Sequence, residues 1–408
     1  MAILSFLSNE LRADWPEFRG PTAQGHSTES NLPSEWTSTK NVTWKRPIPG
    51  KGWSSPAVVA NSVYLTTAVP AADGSSLSLQ ALCFDSGTGT LKWTTELFVV
   101  DTSKRLQIHG KNSHASPSPV VGQNRLFVHF GNQGTACLDI NGRVIWKNSE
   151  IRYEPVHGGG GSPLLIDDLL IFSCDGASDP FLIALNTRDG SVRWRVKRTT
   201  DAQKTFSFAT PLLIEVNGQR QIISPASNML GAYNPENGQE LWKLRFEGYS
   251  VIPRPVFGLG LLFIGTGYDR PSVLAVRPDG AGDVTATHLA WTVQRGAPNT
   301  PSLLLVGEEL YMLSDSGMAS CIDARTGKAH WQERIGGNCS ASPIFADGKI
   351  YFQNEEGLGV VIRPGKVFDK VASNPLNERT LASYAISQGA LFIRGEQHLF
   401  RIQTADRN

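Results

Sequence analysis

The residues best suited to chemistry are concentrated in one short stretch, "IHGKNSHASP". It holds His109, Lys111, Asn112 and His114. An imidazole titrates near neutral pH and can act as a general base or acid, while a lysine attracts anions. Two imidazoles beside a cation and an amide therefore predict a site for an anionic ligand. The imidazoles could also transfer protons to or from that ligand.

Similar side chains precede each later Ser-Pro-like pair of the sequence. The candidate catalytic residues are His109, His114, His157 and Tyr249. The candidate ligand-binding residues are Lys51, Trp53, Lys111, Asn112, Tyr153, Lys204, Arg254, Arg295, Asn338 and Arg379. For any one of these residues the alternative is a solvated loop cation or a structural histidine. Their recurrence at equivalent places favours a common site.

Metal and nucleotide sites are not indicated by the spacing of polar residues. The five cysteines are never adjacent and never form C-x-x-C: Cys83, Cys137, Cys174, Cys321 and Cys339. We interpret them as small buried hydrophobes. Asp175 and Asp179 do not complete a calcium loop, and the four glycines 158–161 lack the G-K-[ST] of a phosphate loop. We expect no metal site.

Composition narrows the classes of partner. The chain has 408 residues, 40% hydrophobic and 18% charged, with a formal net charge of +1. These values predict a large folded core and give no general attraction to nucleic acid or to a membrane surface. No apolar run reaches the ~18 residues that a spanning helix needs. Residues 1–13 fit either a truncated secretory signal or an ordinary terminus.

The elements that position these residues repeat along the chain. Tryptophans close successive units at intervals of roughly 50 residues: Trp93, Trp146, Trp194, Trp242, Trp291 and Trp331. Within each unit, alternating runs predict four strands. A regular turn precedes the last strand, as in Asp85 to Gly89 and Asn186 to Gly190. Four-stranded antiparallel units repeated around an axis predict an all-β protein with the fold of a β-propeller.

The ends of the chain predict eight blades. The last unit stops after three strands at "HLFRI", while the early segment "NVTWKRPIP" offers a spare strand with Trp44. Pairing the two closes the ring and removes exposed sheet edges. We therefore predict one propeller over residues 41–408, with residues 14–40 as a surface strap that leads into the closing strand.

The unit "A-x-[DN]-x-x-[TN]-G-x-x-x-W" resembles the tryptophan-docking repeat of pyrroloquinoline quinone (PQQ) dehydrogenases, which are eight-bladed propellers. It equally resembles the propeller lipoprotein of outer-membrane protein assembly. The resemblance covers nearly the whole chain from Trp15 onward. It implies the fold and a periplasmic or cell-envelope location. The adjacent cysteine pair of the quinone enzymes and the C-x-x-C-H of quinohaemoproteins are both missing.

Three classes of function follow. The first is a ligand-binding or scaffold propeller with a cationic, His- and Tyr-rich mouth. The second is a lyase-type enzyme acting on an acidic polysaccharide, and the third is a PQQ-dependent dehydrogenase. We favour the first and expect no cofactor, with PQQ disfavoured. The expected partner is an anionic small molecule, an acidic carbohydrate or an envelope protein, bound by a monomer without a membrane span.

The sharpest prediction concerns the mouth of the propeller channel. Connections from the outer strand of one blade to the inner strand of the next carry His109, His114, His157, Tyr249 and Arg254. We predict that these side chains gather at one mouth and form an anion site, in which Arg254 holds a carboxylate. Replacing Arg254 by Ala is then expected to weaken binding of an acidic ligand and to change stability little.

Overall fold

A computed structural model describes residues 14–104 and 108–404 as eight β-sheets around one axis. The predictions for residues 1–13 lie outside the described residues. Apart from strands, the described chain contains two short 3-10 helices, Thr102–Lys104 and Gly131–Gln133. The all-β, eight-bladed propeller with four-stranded antiparallel blades is confirmed.

The first four blades each contribute four consecutive strands. Blade 1 comprises β2 (Ala57–Val59), β3 (Ser62–Pro70), β4 (Ser76–Asp85) and β5 (Leu91–Asp101). Blade 2 comprises β6 (Val120–Gly122), β7 (Arg125–His129), β8 (Thr135–Asp139) and β9 (Val144–Asn148). Blade 3 comprises β10 (Leu164–Ile166), β11 (Leu169–Cys174), β12 (Phe181–Asn186) and β13 (Val192–Lys197). Blade 4 comprises β14 (Leu212–Val216), β15 (Gln219–Ala226), β16 (Met229–Tyr233) and β17 (Glu240–Arg245).

The remaining blades depart from this plan at two places. Blade 5 comprises β18 (Val256–Gly258), β19 (Leu261–Gly265), β20 (Val273–Val276) and β22 (Leu289–Val293), and its insertion forms β21 (Gly282–Asp283). Blade 6 comprises β23 (Leu304–Val306), β24 (Glu309–Leu313), β25 (Met318–Asp323) and β26 (Ala329–Arg334). Blade 7 comprises β27 (Ile344–Ala346), β28 (Lys349–Gln353), β29 (Leu358–Arg363) and β30 (Asp369–Pro375). Blade 8 joins β31 (Ala385–Ser387), β32 (Ala390–Arg394) and β33 (His398–Ile402) to β1 (Val42–Pro47).

The eighth blade takes its outer strand from the other end of the chain. β1 pairs antiparallel with β33, and Trp44 lies opposite Arg401. The backbone N–H of Ser383 donates to the hydroxyl of Ser55 at 3.0 Å, which joins blade 8 to blade 1. The structure therefore places Trp44 with the C-terminal strands, as the sequence predicts.

Tryptophans on the outer strands fasten six of the eight blades to the next blade. The indole N–H of Trp146 donates to the carbonyl of Thr187 in the following blade at 2.8 Å, and that of Trp194 donates to Pro235 at 3.0 Å. The ring of Trp146 lies over Gly190, where an added Cβ would come within 2.6 Å of it. Gly190 also has a positive φ of 74°. The turn requires glycine for both reasons, so the repeated motif is an inter-blade contact.

Blade 4 replaces this contact with another. β21, from the insertion of blade 5, pairs parallel with β17 and covers the outer edge of blade 4. Trp242 is fully buried there and donates to Gln221 within its own blade at 2.8 Å. The insertion thus supplies the packing that the regular turn provides elsewhere.

The strap, residues 14–40, crosses the face of the disc on which the channel closes. Its first residues form a bridge between Trp15 and Val58 of blade 1. Farther along, Gly25 and Ser27 exchange backbone hydrogen bonds with Phe345 of blade 7. Trp36 is buried against Tyr351 and Tyr384. The strap is therefore part of the packed structure and contacts blades 1, 7 and 8.

Candidate functional site

A funnel of about 280 Å³ occupies the propeller axis. Phe18 of the strap lines its closed end, and aromatic side chains and imidazoles surround the open end. The wall at its open end includes His109, Lys111, Asn112, His157, Phe206, Tyr249 and Tyr268. We call this part the rim. Because the strap crosses the far end, we infer that a ligand reaches the funnel from the rim.

A ring of hydroxyl side chains lines the funnel between Phe18 and the rim. Seven blades place a serine or threonine at the same position ahead of the inner strand: Ser55, Ser118, Ser162, Thr210, Ser302, Ser342 and Ser383. Backbone N–H groups donate to the hydroxyl oxygens of the next blade at 2.8 to 3.0 Å. We call these seven residues the hydroxyl ring. Its bonds connect neighbouring blades around the axis.

Arg254 occupies the eighth position of the ring, and its side chain leaves the funnel. It is fully buried, and its guanidinium donates to the carbonyls of Pro211 and Phe18 at 3.1 and 2.6 Å. A third nitrogen pairs with Glu17 Oε2 at 3.1 Å. The expectation that Arg254 shares the rim with the histidines is therefore corrected, because the strap supplies its partners beneath the ring.

The rim brings three of the predicted catalytic candidates into one row of aromatic rings. The rings of His109 and His157 are 5.7 Å apart, Phe206 lies 5.4 Å beyond His157, and Tyr249 lies 5.6 Å beyond Phe206. Burial, followed by the neighbouring His109, lowers the pKa of His157. The row thus favours neutral imidazole at His157. His114 is half-buried and is not among the residues that line the funnel.

Carboxylates from other blades compensate the cations of the rim. Lys111 Nζ lies 2.7 Å from Glu355 Oε1, which comes from the loop between β28 and β29. Burial lowers the pKa of Lys111, but the hydrogen bond and charge of Glu355 outweigh it and raise the pKa overall. The Tyr249 hydroxyl donates to Asp269 at 3.1 Å. The rim is therefore less cationic than the connecting loops predict, because the acidic loops between second and third strands face them.

Four further candidates lie at or near the rim and contact other residues of the protein there. Asn112 donates to the carbonyls of His157 and Gly159 at 2.7 and 3.2 Å, which fixes the neighbouring loop. Trp53 is buried in the funnel wall with the guanidinium of Arg379 5.5 Å from its ring centre. Lys204 lies outside the lining with its ammonium 3.9 Å from the ring of Tyr249.

The other predicted ligand-binding residues lie outside the funnel lining. Tyr153 packs edge-on against Phe181 within blade 3. The side chains of Lys51, Arg295 and Asn338 are exposed. None of these four residues is among those that line the funnel. The common site predicted from the sequence is therefore smaller than the full set of candidates.

The acidic pair considered for calcium has other partners. Asp175 and Arg198 form a fully buried ion pair at 2.7 Å, and Asp179 pairs with Lys197 at 2.8 Å on the surface. Among residues 14–104 and 108–404, no three His, Cys, Asp or Glu side chains converge in a way that could hold a metal ion. The five cysteines are buried and unpaired.

The hydroxyl ring and Phe18 are the functional residues that sequence inspection missed. The indication was present, because Ser55, Ser118 and Ser162 each precede a proline in the repeated "SP" pair. The "RP" of Arg254 and Pro255 stands at the same place in the fifth unit, and so marks the one position where the ring changes.

Comparisons with known proteins agree on the fold. A family model described as "Outer membrane protein assembly factor BamB" matches residues 27–149, 83–276 and 272–371. The outer membrane protein assembly factor BamB of Yersinia pestis is 22% identical over 368 residues, which are 88% of this chain and 79% of that protein. The lanthanide-dependent methanol dehydrogenase of Methylorubrum extorquens is 28% identical over 153 residues, 33% of this chain and 24% of that enzyme.

A solved structure gives the same architecture. BamB from Moraxella catarrhalis superposes with a TM-score of 0.65 at 10% identity, and the match covers 90% of this chain and 98% of that one. At this identity the likeness shows the fold alone. The site must therefore be judged from its own residues.

Proposed function

We propose that this chain, which belongs to the family of the outer membrane protein assembly factor BamB, is a binding propeller of the cell envelope. It holds a ligand or a partner segment in the axial funnel and does not transform it. The observation that carries this proposal is the axial funnel, which Phe18 of the strap lines at the end opposite the rim. A pocket with one opening and a mixed aromatic and hydroxyl wall is suited to retaining a ligand.

The rim supports binding better than an elimination reaction. Proton abstraction beside a carboxylate needs a cation that neutralises that carboxylate, in addition to a base. Arg254, the cation expected in that role, points away from the rim and pairs with Glu17. Lys111 is paired with Glu355. Among the described residues that line the funnel, no unpaired lysine or arginine lies beside the histidines and Tyr249 to neutralise the carboxylate of a reacting sugar.

The funnel residues do not fit PQQ. A tricarboxylate favours several free cations, whereas the lysine that lines the funnel, Lys111, is already paired. The five cysteines are separate in sequence and buried, so no adjacent pair faces the funnel. The proposal therefore includes no quinone cofactor and no calcium-dependent alcohol or sugar oxidation.

The envelope location rests on the relatives' names, which refer to outer-membrane assembly. Within residues 14–104 and 108–404 there is no helix long and apolar enough to cross a membrane. Fractionating native cells into cytoplasmic, periplasmic and membrane material, followed by immunoblotting, tests the location. Recovery of the protein in the cytoplasm would contradict it.

Binding in the funnel is tested with a panel of neutral oligosaccharides, acidic oligosaccharides and extended peptides. We expect calorimetry to detect at least one class, and Tyr268→Ala to weaken that binding about tenfold, as expected for removal of one aromatic contact surface. Phe368→Ala is the matched control, because Phe368 is a half-buried aromatic that packs on Trp331 away from the funnel.

Two results would contradict the proposed function. The first is binding that is equally affected by both aromatic substitutions. The second is chemical change of a bound sugar, detected as new ultraviolet absorbance from an unsaturated product or as dye reduction. Either change would move the protein into an enzyme class.

A further inference from the structure

We propose that the hydroxyl ring is an anion subsite that receives the carboxylate of a sugar acid. This inference rests on the proposed binding function and specifies the chemistry at the hydroxyl ring. The carboxylate lies at the level of the ring, and the sugar extends toward the rim.

The ring offers hydrogen-bond donors that no described residue uses. Each of its hydroxyl oxygens accepts one backbone N–H from a neighbouring blade, but none of the seven donates its own proton to another group in the described parts of the chain. Their side chains are more than nine-tenths buried and line the funnel. A buried donor without an acceptor is unfavourable. The ring therefore suits an acceptor-rich occupant.

Three buried guanidinium groups lie outside the funnel lining and contact backbone carbonyls close to ring members. Arg254, Arg19 and Arg394 are at most 1% exposed. Arg254 donates to the carbonyl of Pro211, beside Thr210 of the ring.

The other two guanidinium groups also contact residues next to ring members. Arg19 donates to the carbonyls of Leu303 and Pro343 at 2.6 and 3.4 Å, beside Ser302 and Ser342. Arg394 donates to the carbonyls of Ser54 and Thr66 at 3.2 and 2.8 Å, beside Ser55.

The positive charge at this level exceeds the negative charge. Among the described residues, Glu17 is the one carboxylate that pairs with any of the three arginines. Burial, with repulsion from Arg254, lowers the pKa of Arg19 to about 9, and burial lowers that of Arg394 to about 9. A buried cation without a counter-charge is costly. An anion bound at the ring would offset this cost, and this favours a carboxylate over a neutral group.

The wall above the ring favours a sugar as the body of the ligand. Trp53, Phe208 and Tyr268 present aromatic surfaces, and Ser116 and Ser340 add hydroxyls between the ring and the rim. Aromatic faces that alternate with hydroxyl groups match the apolar faces and polar edges of a pyranose.

The experiment compares D-glucuronate with D-glucose, which differ at C6 by a carboxylate in place of a hydroxymethyl group. Calorimetry on the full chain is expected to show glucuronate binding at least tenfold tighter. Replacing two opposite members of the ring, Ser162→Ala with Ser342→Ala, is expected to weaken glucuronate binding about tenfold. Ser207→Ala is the matched control, because its buried hydroxyl already donates to Val251 at 3.0 Å.

A second variant changes affinity in the opposite direction. Glu17→Gln keeps an oxygen that can accept from Arg254 but removes the neutralising charge, so glucuronate should bind about threefold to tenfold tighter. A loss of folding cannot imitate this gain. Thermal melting of every variant identifies any that fail to fold.

Three outcomes would overturn the anion subsite: equal binding of glucuronate and glucose, unchanged binding in the double serine variant, or no gain in Glu17→Gln. Binding of chloride or acetate with the same affinity as glucuronate would mean an adventitious ion only. Tighter binding of a peptide with a free C-terminus than of glucuronate would also overturn the assignment to a sugar acid. In that case Tyr268→Ala would still weaken binding, so the proposed function would survive.

Discussion

Lys111 of blade 2 and Glu355 of blade 7 meet across the open end of the funnel, with Nζ and Oε1 2.7 Å apart. Blades 8 and 1 lie between these blades on the shorter way around the ring, so the pair bridges the rim. Glu355 also accepts a hydrogen bond from Ser340 at 2.6 Å. The bridge therefore fixes two loops that are remote in sequence and narrows the approach to the funnel.

Removing the bridge is expected to loosen the rim at a small cost in stability. In Lys111→Met, Glu355 keeps Ser340 but loses its cation, and we expect the free energy of unfolding to fall by about 0.5–1 kcal/mol. Glucuronate should associate faster, because the rim is wider. Urea denaturation and stopped-flow measurements test the two parts. The control is Lys40→Met, whose partner Glu35 is 62% exposed; an equal loss there would contradict the special role of the bridge.

The buried position of Arg254 reverses the expectation drawn from the sequence. Truncating Arg254→Ala leaves Glu17 and the carbonyls of Pro211 and Phe18 without their donor. We expect the free energy of unfolding to drop by about 3–5 kcal/mol, as for a broken buried ion pair. Arg295→Ala, at an exposed arginine of the next connecting loop, should change it by less than about 0.5 kcal/mol. Chemical denaturation measures both, and similar small losses would contradict this account of the strap.

At the turn glycines, the destabilisation caused by the tryptophan contact can be measured separately from that caused by the left-handed backbone. Gly190 and Gly218 have φ values of 74° and 78°, but an added Cβ would meet Trp146 only at Gly190, and nothing within 4 Å at Gly218. Gly218→Ala is expected to cost about 1–2 kcal/mol from the left-handed backbone. Gly190→Ala should cost about 1–3 kcal/mol more because of the overpacked indole. Equal losses in urea denaturation would show that the tryptophan contact is unimportant.

His129 provides a pH-dependent contribution to stability. Burial lowers its pKa to about 3, and its ring nitrogen lies 2.9 Å from the Thr135 hydroxyl. The unfolded chain takes up this proton below about pH 6.5, whereas the folded chain does not until about pH 3. Folding free energy from this group is therefore lost as the pH falls through that window, by about 1.4 kcal/mol per unit.

The measurement compares wild type with His129→Gln by urea denaturation at pH 7 and pH 5. The variant removes this titration and leaves the other ionisable groups in place, so its stability should fall less between the two values. Parallel pH dependence in the two proteins would contradict the assignment to His129.

The fold follows from local features that a single sequence displays. The turn from Asn186 to Gly190 and the tryptophan that closes each unit are set by short-range chemistry, and their repetition specifies the blades. The spare strand around Trp44 indicates closure because strand edges require partners. The convergence of His109, His157 and Tyr249 follows once the connecting loops are assigned to one face.

The remaining features of the site depend on contacts that are remote in sequence. A loop arginine such as Arg254 is solvated in most proteins, and only the course of the strap places Glu17 and Phe18 against it. The pairing of Lys111 with Glu355 likewise requires the position of two loops across the axis. Sequence patterns give the type of each side chain and its blade, but they do not give the direction in which it points.

The pairing of β1 with β33 has a consequence for biosynthesis. Because β1 is synthesised before every other described strand and β33 after them, the eighth blade cannot form until β33 has left the ribosome. The backbone N–H groups of Gln388 and Gly389 donate to the carboxylate of Glu29, and these hydrogen bonds also form only after the C-terminal strands are synthesised. Blades 1 to 7 can assemble in the order of their synthesis, but the ring closes only after β33 has been synthesised. A chain that stops before residue 398 lacks the partner of its own first strand, and so exposes two open sheet edges to aggregation and proteolysis.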